Sequence, residues 1–179
     1  TSNICTAQVL LAIMASMYGV WHGPEGLTAI AQRVRGLTLV LRSRLAQAGF
    51  TFPHAQQFDT LAFEVPGGDA RALLTEASAR GIDLRLVDAR TLALSLDETT
   101  SLADVAALVE LLTGKGAGEL GAHELELAYA EGLGRSSAFM THPIFHAHRC
   151  EHDMLRYLHR LQARDLSMTS SMIALGSCT

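Results

Sequence analysis

The first predicted helix runs from Ile4 to about Gly19, carries apolar residues on nearly all sides and has Asn3 placed to cap it. Its apolar positions are Val9, Leu10, Leu11, Ile13, Met14, Met17, Tyr18 and Val20. A helix of this kind needs partners on several faces, so we expect it to be buried on several sides. The apolar stretch is shorter than the roughly 20 residues that span a bilayer, so no membrane segment is expected.

A second helix is predicted after a break at His22-Gly23-Pro24-Glu25, because Pro is favoured at the first position of a helix and an acid in its first turn. Apolar residues then recur at helical spacing as far as Gly49: Leu27, Ile30, Ala31, Val34, Leu37, Leu41 and Leu45. The arginines of this helix are expected mostly on its outer face, and they are Arg33, Arg35, Arg42 and Arg44.

Alternating apolar residues predict three strands in the next part of the chain. The first lies within Phe58 to Val65, the second within Ile82 to Leu86 and the third within Leu92 to Leu96. Only the short turn Val87-Asp88-Ala89-Arg90 separates the last two, which favours a hairpin.

Two more helices accompany these strands. One is predicted from Ala70 to Arg80, closed by Gly81, and the other extends to about Leu112 from a cap at Thr99, Thr100 or Ser101. The order helix, helix, β, α, β, β, α predicts an α+β fold with a small, largely antiparallel sheet.

The glycine-rich stretch that begins at Gly114 divides the chain. We predict a small α+β domain over residues 1–113, a linker over residues 114–134 and a helical segment over residues 135–179. Within that last segment the pattern indicates one helix from Ile144 to Ala163.

Composition excludes several classes of protein. The formal net charge of −4 gives no basic footprint, so no nucleic-acid partner is expected. Cys5, Cys150 and Cys178 are odd in number and far apart, and they imply no disulfide framework. The only lysine, Lys115, lies in the glycine-rich link and is poorly placed to hold a cofactor as a Schiff base.

Histidines are dense near the end of the chain: His142, His146, His148, His152 and His159. His148 and His152 are four residues apart, so on one helix they would share a face and could chelate a metal. The simpler interpretation is a polar helix face and a turn. Because no further ligand pair accompanies them, we predict no physiological metal site.

Other charged residues have structural explanations. Asp97-Glu98 suits the turn before a capped helix, and Glu124 with Glu126 suits a solvated face, although paired acids also occur in acid–base catalysis. A basic stripe of residues spaced by four consists of Arg156, Arg160 and Arg164. We expect it to contact another domain or solvent, and binding of an acidic partner is the weaker alternative.

The chain ends in a small, polar stretch, DLSMTSSMIALGSCT, in which Gly176 lets the backbone approach a ligand closely. Residues 156–179, RYLHRLQARDLSMTSSMIALGSCT, resemble the start of the second half of the P-protein family of the glycine cleavage system, the decarboxylating glycine dehydrogenases. The blocks TSNICTAQ, SLDETT and THPIF, which begin at Thr1, Ser95 and Thr141, fit the same family in the same order. The chain differs at Ala174, where the family usually has Pro, and at Cys150, where it usually has Ser.

The resemblance implies a fragment of a fold-type-I, pyridoxal phosphate-dependent enzyme that spans the end of its first half and the start of its second. Residues 1–113 would form the small domain of the first half. Such an enzyme decarboxylates glycine and passes the aminomethyl group to the lipoyl group of H-protein. The implied partners are the lipoylated H-protein and the remaining domains of the P-protein, in a homodimer or a two-subunit assembly. The implied location is the bacterial cytoplasm, or the mitochondrial matrix in a eukaryote.

The resemblance also implies that both ends of the chain face the active-site region. The candidates are Thr1, Ser2, Asn3, Cys5, Ser177, Cys178 and Thr179. Cys5 lies in the first turn of a predicted helix, where backbone N–H groups favour a thiolate. We name no catalytic residue, and the Schiff-base lysine is expected outside this segment, so the fragment alone should be inactive. Without the resemblance, the chain would be interpreted as a non-catalytic α+β interaction or regulatory module.

Overall fold

The computed structural model describes residues 7–118, 120, 133–164 and 172. The chain divides into two compact units. We call Ala29–Arg135 the mixed unit, and Thr1–Thr28 together with Ser136–Thr179 the helical unit. In this division the first 28 residues group with the end of the chain. The predicted domains over residues 1–113, 114–134 and 135–179 stay a prediction.

Helix α1, Ala7–Gln47, contains the predicted break. Gly23 has φ 61° and ψ −175°, which is not helical, and Pro24 follows it. Before the break, Leu10 and Met14 are 67% and 66% exposed, so the prediction that this helix is buried on several sides is wrong within this chain. After the break, Leu37, Leu41 and Leu45 are buried, as their spacing predicts.

The mixed unit contains a three-stranded antiparallel sheet in the order β1-β3-β2. Strand β1 is Thr60–Glu64, strand β2 is Arg85–Leu86 and strand β3 is Thr91–Ser95. The predicted hairpin between β2 and β3 is confirmed, and Leu86 pairs with Leu92. The two flanking strands are shorter than predicted, but the α+β class with a small antiparallel sheet is confirmed.

Local capping explains where the helices of this unit begin and end. In α2, Ala70–Ala79, the side chain of Asp69 accepts a hydrogen bond from the Ala72 amide. In α3, Leu102–Thr113, Ser101 and Asp104 form a capping box, and Gly114 ends the helix in the left-handed conformation.

One hydrophobic core joins α1, α2 and α3 to the sheet. Leu61 and Phe63 on β1 are fully buried, and the ring of Phe63 meets that of Phe50 edge-on at 5.6 Å. Each such side chain contributes about 1.5–3 kcal/mol through burial. Arg35 is also buried, contrary to the expected outer position, and donates a hydrogen bond to the Gln57 carbonyl.

The described part of the helical unit contains the first part of α1, together with α4, Ile144–Ala147, and α5, Glu151–Gln162. The predicted single helix from Ile144 to Ala163 is therefore wrong. His148 leaves the helical region with φ −121° and ψ 66°, and Cys150 is extended where it caps α5. Among the residues that the structure describes, no helix has both the length and the apolar character needed to cross a membrane.

Candidate functional site

The residues predicted to face the active site lie outside the described residues. These are Thr1, Ser2, Asn3 and Cys5 at one end, and Ser177, Cys178 and Thr179 at the other. Their role therefore stays a prediction. The THPIF block, which also fits the family resemblance, lies within the described residues.

The THPIF block forms a tight entry into α4. The ring Nδ1 of His142 accepts a hydrogen bond from the Ile144 amide, and Pro143 occupies the cap position. Just before the block, Met140 has φ 50°, the only non-glycine residue with positive φ among those described. A backbone in this region is uncommon for a side chain such as Met and is held by its surroundings.

Arg149 organises the turn between α4 and α5. Its Nη2 donates to Glu25 Oε2 at 2.7 Å and to the Phe145 carbonyl at 3.0 Å, and it lies 3.4 Å from Nδ1 of His146. Because a guanidinium only donates hydrogen bonds, Nδ1 of His146 is the acceptor in this contact. The Nε2–H of His146 then donates to the Met140 carbonyl at 3.1 Å. The contacts of Arg149 and His146 therefore connect the kink in α1, the strained Met140 and the start of α5.

Gly23 makes this arrangement possible. A Cβ at this position would lie 2.2 Å from Arg149 Nη2 and 2.5 Å from the Phe145 carbonyl oxygen. Sequence reasoning identified the break at Gly23 but missed Glu25 and Arg149 as a pair. The two residues are 124 positions apart, and no local pattern links them.

The environment of Glu25 favours its charged form. A hydrogen bond from its own backbone amide and one from Arg149 lower the pKa of Glu25 below its ordinary value. The carboxylate is solvent-exposed, and exposed ion pairs contribute little to stability. The pair therefore sets the geometry of the turn more than it stabilises the fold.

The histidines do not form the predicted helical pair. His148 lies in the turn and His152 lies on α5, so they are not successive positions on one helix face. Over residues 7–118 and 133–164, no group of three or more His, Cys, Asp or Glu side chains could hold a metal ion. Cys150 is exposed, and its thiol donates to Asp153 Oδ2 at 3.1 Å.

Two of the arginines of the basic stripe line a cleft of about 270 Å3, which we call the His148 cleft. Its other lining residues are Ala147, His148, Asp153 and Tyr157. The His148 ring stacks on that of Tyr157 with centroids 4.4 Å apart and planes 13° apart. Sequence reasoning identified the basic stripe but not the cleft, because the stacking depends on the break before α5.

A larger cleft of about 380 Å3 lies in the mixed unit and is lined in part by Lys115, Asp69 and Glu76. Lys115 is exposed. A Schiff-base lysine lies in a desolvated site, and pyridoxal phosphate carries negative charge that two carboxylates would repel. The described residues therefore do not fit the anchoring of this cofactor.

The acidic pair Asp97-Glu98 has the predicted structural role. The carboxylate of Asp97 accepts hydrogen bonds from Thr99 and Thr100, and these bonds lower its pKa. It is thus committed to the turn before α3 and is not poised as a general acid or base. Glu124 and Glu126 lie outside the described residues.

Comparison with known proteins relates this geometry to a family. Residues 1–112 match the family model described as glycine cleavage system P-protein. The chain is 50% identical to the glycine dehydrogenase (decarboxylating) of Cupriavidus metallidurans, covering 100% of the chain and 19% of that relative. It is 46% identical to the relative of the same name from Nostoc, and 48% identical to the mitochondrial one from Pisum sativum, over 100% of the chain in each case.

The chain spans about a fifth of the length of these relatives, 19% of the first and 17% of the pea protein. The family match covers more than half of the chain, and the identities extend over all of it. The chain therefore belongs to the glycine cleavage system P-protein family.

Proposed function

We propose that this chain is a segment of a glycine dehydrogenase (decarboxylating). The parent enzyme uses pyridoxal phosphate as the electron sink for decarboxylation of glycine, and transfers the aminomethyl group to the lipoyl group of H-protein. The observation that carries this proposal is 46–50% identity, over the whole chain, to relatives with that name. A free-standing interaction module is less well supported, because the matched relatives are about five times longer.

The role proposed for the segment is structural support of the active site. Residues 1–113 belong to the small domain of the first half of a fold-type-I enzyme, and residues 135–179 begin its second half. The seven candidate residues at the two ends would face the active site, and the cofactor lysine would come from another part of the parent. The exposed Lys115 supports this assignment, since it is the only lysine in the chain. The parent would act in the bacterial cytoplasm, or in the mitochondrial matrix of a eukaryote, as a homodimer or a two-subunit enzyme.

A chimera tests the proposed activity. The matching fifth of the Cupriavidus metallidurans relative is replaced by this chain, and release of labelled CO2 from carboxyl-labelled glycine is measured with lipoylated H-protein. We expect activity within about tenfold of the unmodified relative, a difference of about 1.4 kcal/mol in barrier. A chimera that is folded and loaded with cofactor but releases no CO2 would contradict the proposal.

The assignment of the cofactor lysine is tested on the chain alone. The chain is incubated with pyridoxal phosphate, reduced with borohydride and digested. We expect no stoichiometric label at Lys115, because an exposed lysine lacks the desolvated pocket that favours a Schiff base. Lys115→Arg is the control, and stoichiometric labelling that disappears in this variant would overturn the assignment.

A further inference from the structure

The His148 cleft has a cationic wall that lacks a full complement of anions. Arg156 and Arg160 are four residues apart on α5 and share a helix face. Arg156 lies 3.6 Å from Asp153, but their side chains are 78% and 50% exposed, so this contact is weak. Arg160 has no ion pair among the residues that the structure describes; its recorded contacts are with His148 and Tyr157.

Two aromatic rings also line the cleft. The rings of His148 and Tyr157 stack on each other, and the guanidinium carbon of Arg160 lies 5.4 Å from the Tyr157 ring centroid. Such cation–π contact holds a guanidinium in place while leaving its N–H groups able to donate. The geometry therefore presents Arg160 as a prepositioned donor.

His148 contacts the guanidinium of Arg160. Arg160 Nη2 lies 3.5 Å from His148 Nε2, and because arginine only donates, Nε2 is the acceptor. The other ring nitrogen, Nδ1, is buried and has no hydrogen-bond partner within the described ranges. The donor that the cleft offers to a ligand is therefore the Arg160 guanidinium.

Charge and size indicate what completes the cleft. The formal charges of the two arginines and the one aspartate that line the cleft sum to one positive charge. A group with one negative charge balances it, whereas a dianionic phosphate would leave an excess. The volume of about 270 Å3 lies just below the range of about 300–1,000 Å3 that is typical of sites for drug-sized ligands. We propose that the His148 cleft binds the carboxylate group of a small monocarboxylic acid.

Titration of the whole chain with acetate tests this proposal. With histidine labelled in the ring, NMR follows His148 while sodium acetate replaces sodium chloride at constant ionic strength. We expect a saturable shift of the His148 resonances, because a carboxylate accepts the charge-assisted hydrogen bonds that Arg160 offers. Inorganic phosphate at pH 8, where it is a dianion, should bind more weakly than acetate.

Matched charge removals locate the site. Arg160→Gln and Arg156→Gln should each weaken acetate binding about tenfold, as expected for loss of one charge-assisted hydrogen bond. Arg164→Gln is the control, since it removes the same charge outside the lining of the cleft. Arg156 is 78% exposed, so its variant keeps the fold even where Arg160→Gln disturbs the stacking.

Three results would overturn the proposal. One is the absence of a saturable shift at His148. Another is equal weakening by Arg164→Gln and Arg156→Gln, which would show a general charge effect. A third is tighter binding of phosphate than of acetate, which would contradict the charge balance.

Discussion

The two units of this chain are stabilised by different interactions. The mixed unit buries a continuous core, in which Leu41, Leu45 and Phe63 are 0% exposed. The described part of the helical unit leaves Leu10 and Met14 exposed, and α5 has no buried residue. Besides the burial of Val20, its described geometry depends on hydrogen bonds around Arg149 and on the absence of a side chain at Gly23. A hydrophobic core tolerates small shifts in polar contacts, whereas a junction of this kind depends on a few atoms.

The largest effect is expected from a cavity in the mixed unit. Leu41→Ala should lower its free energy of unfolding by about 2–5 kcal/mol, because it removes a fully buried side chain. Leu10→Ala, the same change at an exposed position, should alter stability by no more than about 0.5 kcal/mol. Urea denaturation followed by far-ultraviolet circular dichroism measures both. If both variants lose the same free energy of unfolding, Leu10 is buried in solution and not exposed.

The next effect concerns the junction in the helical unit. Gly23→Ala should cost about 1–3 kcal/mol, because φ 61° with ψ −175° is accessible almost only to glycine. Gly19→Ala is the matched control, since its Cβ would meet Met140 and Phe145 at 3.4 and 3.8 Å. It should be neutral or stabilise the helix by up to about 1 kcal/mol.

Trp21, the only tryptophan of the chain, reports on this junction. Urea denaturation followed by its fluorescence should show a lower midpoint for Gly23→Ala than for Gly19→Ala. A higher midpoint for Gly23→Ala would mean that the contact between Gly23 and Arg149 does not form.

The exposed apolar residues predict self-association of the isolated chain. Side chains such as Leu10 and Met14 form an exposed surface that favours association. Replacing both with Glu should shift a dimer or larger species towards monomer without unfolding the sheet. Sedimentation at micromolar concentration measures this. Clean monomeric behaviour of the unmodified chain would contradict the prediction.

The smallest effect is the response of the mixed unit to acid. Hydrogen bonds from Ser101 lower the pKa of Asp104, and those from Arg90 and Thr91 lower the pKa of Asp88. Because the folded pKa values lie below the unfolded ones, this stabilisation is present above the ordinary carboxyl pKa and is lost as pH falls through the folded pKa. Both groups are exposed, so we expect a shallow decline.

Asp104→Asn should flatten that decline in urea midpoint between neutral and acidic pH. The control is Asp83→Asn, at an exposed residue with no recorded hydrogen bond from its side chain to the described residues. If Asp83→Asn changes the pH dependence of the urea midpoint as much as Asp104→Asn does, the capping box is not its cause.

Local chemistry determined much of the mixed unit from sequence alone. Asp69, Ser101 and Gly114 act on their own helix ends, so their positions predict those ends. Alternation from Ile82 to Leu96 predicted the β2–β3 hairpin because its strands are adjacent in sequence. The break at Gly23 was predicted for the same reason, since Gly and Pro act on the backbone where they stand.

Only the tertiary structure decided the features that depend on distant residues. The placement of β1 beside β3, the burial of Arg35 and the break between α4 and α5 have no local signal. At the break between α4 and α5, Arg149 donates a hydrogen bond to Glu25 and the ring of His148 stacks on that of Tyr157. Periodicity describes one helix face at a time, whereas these contacts join segments far apart in sequence. The sequence therefore determined the family and most elements, and the three-dimensional arrangement determined the junction and the His148 cleft.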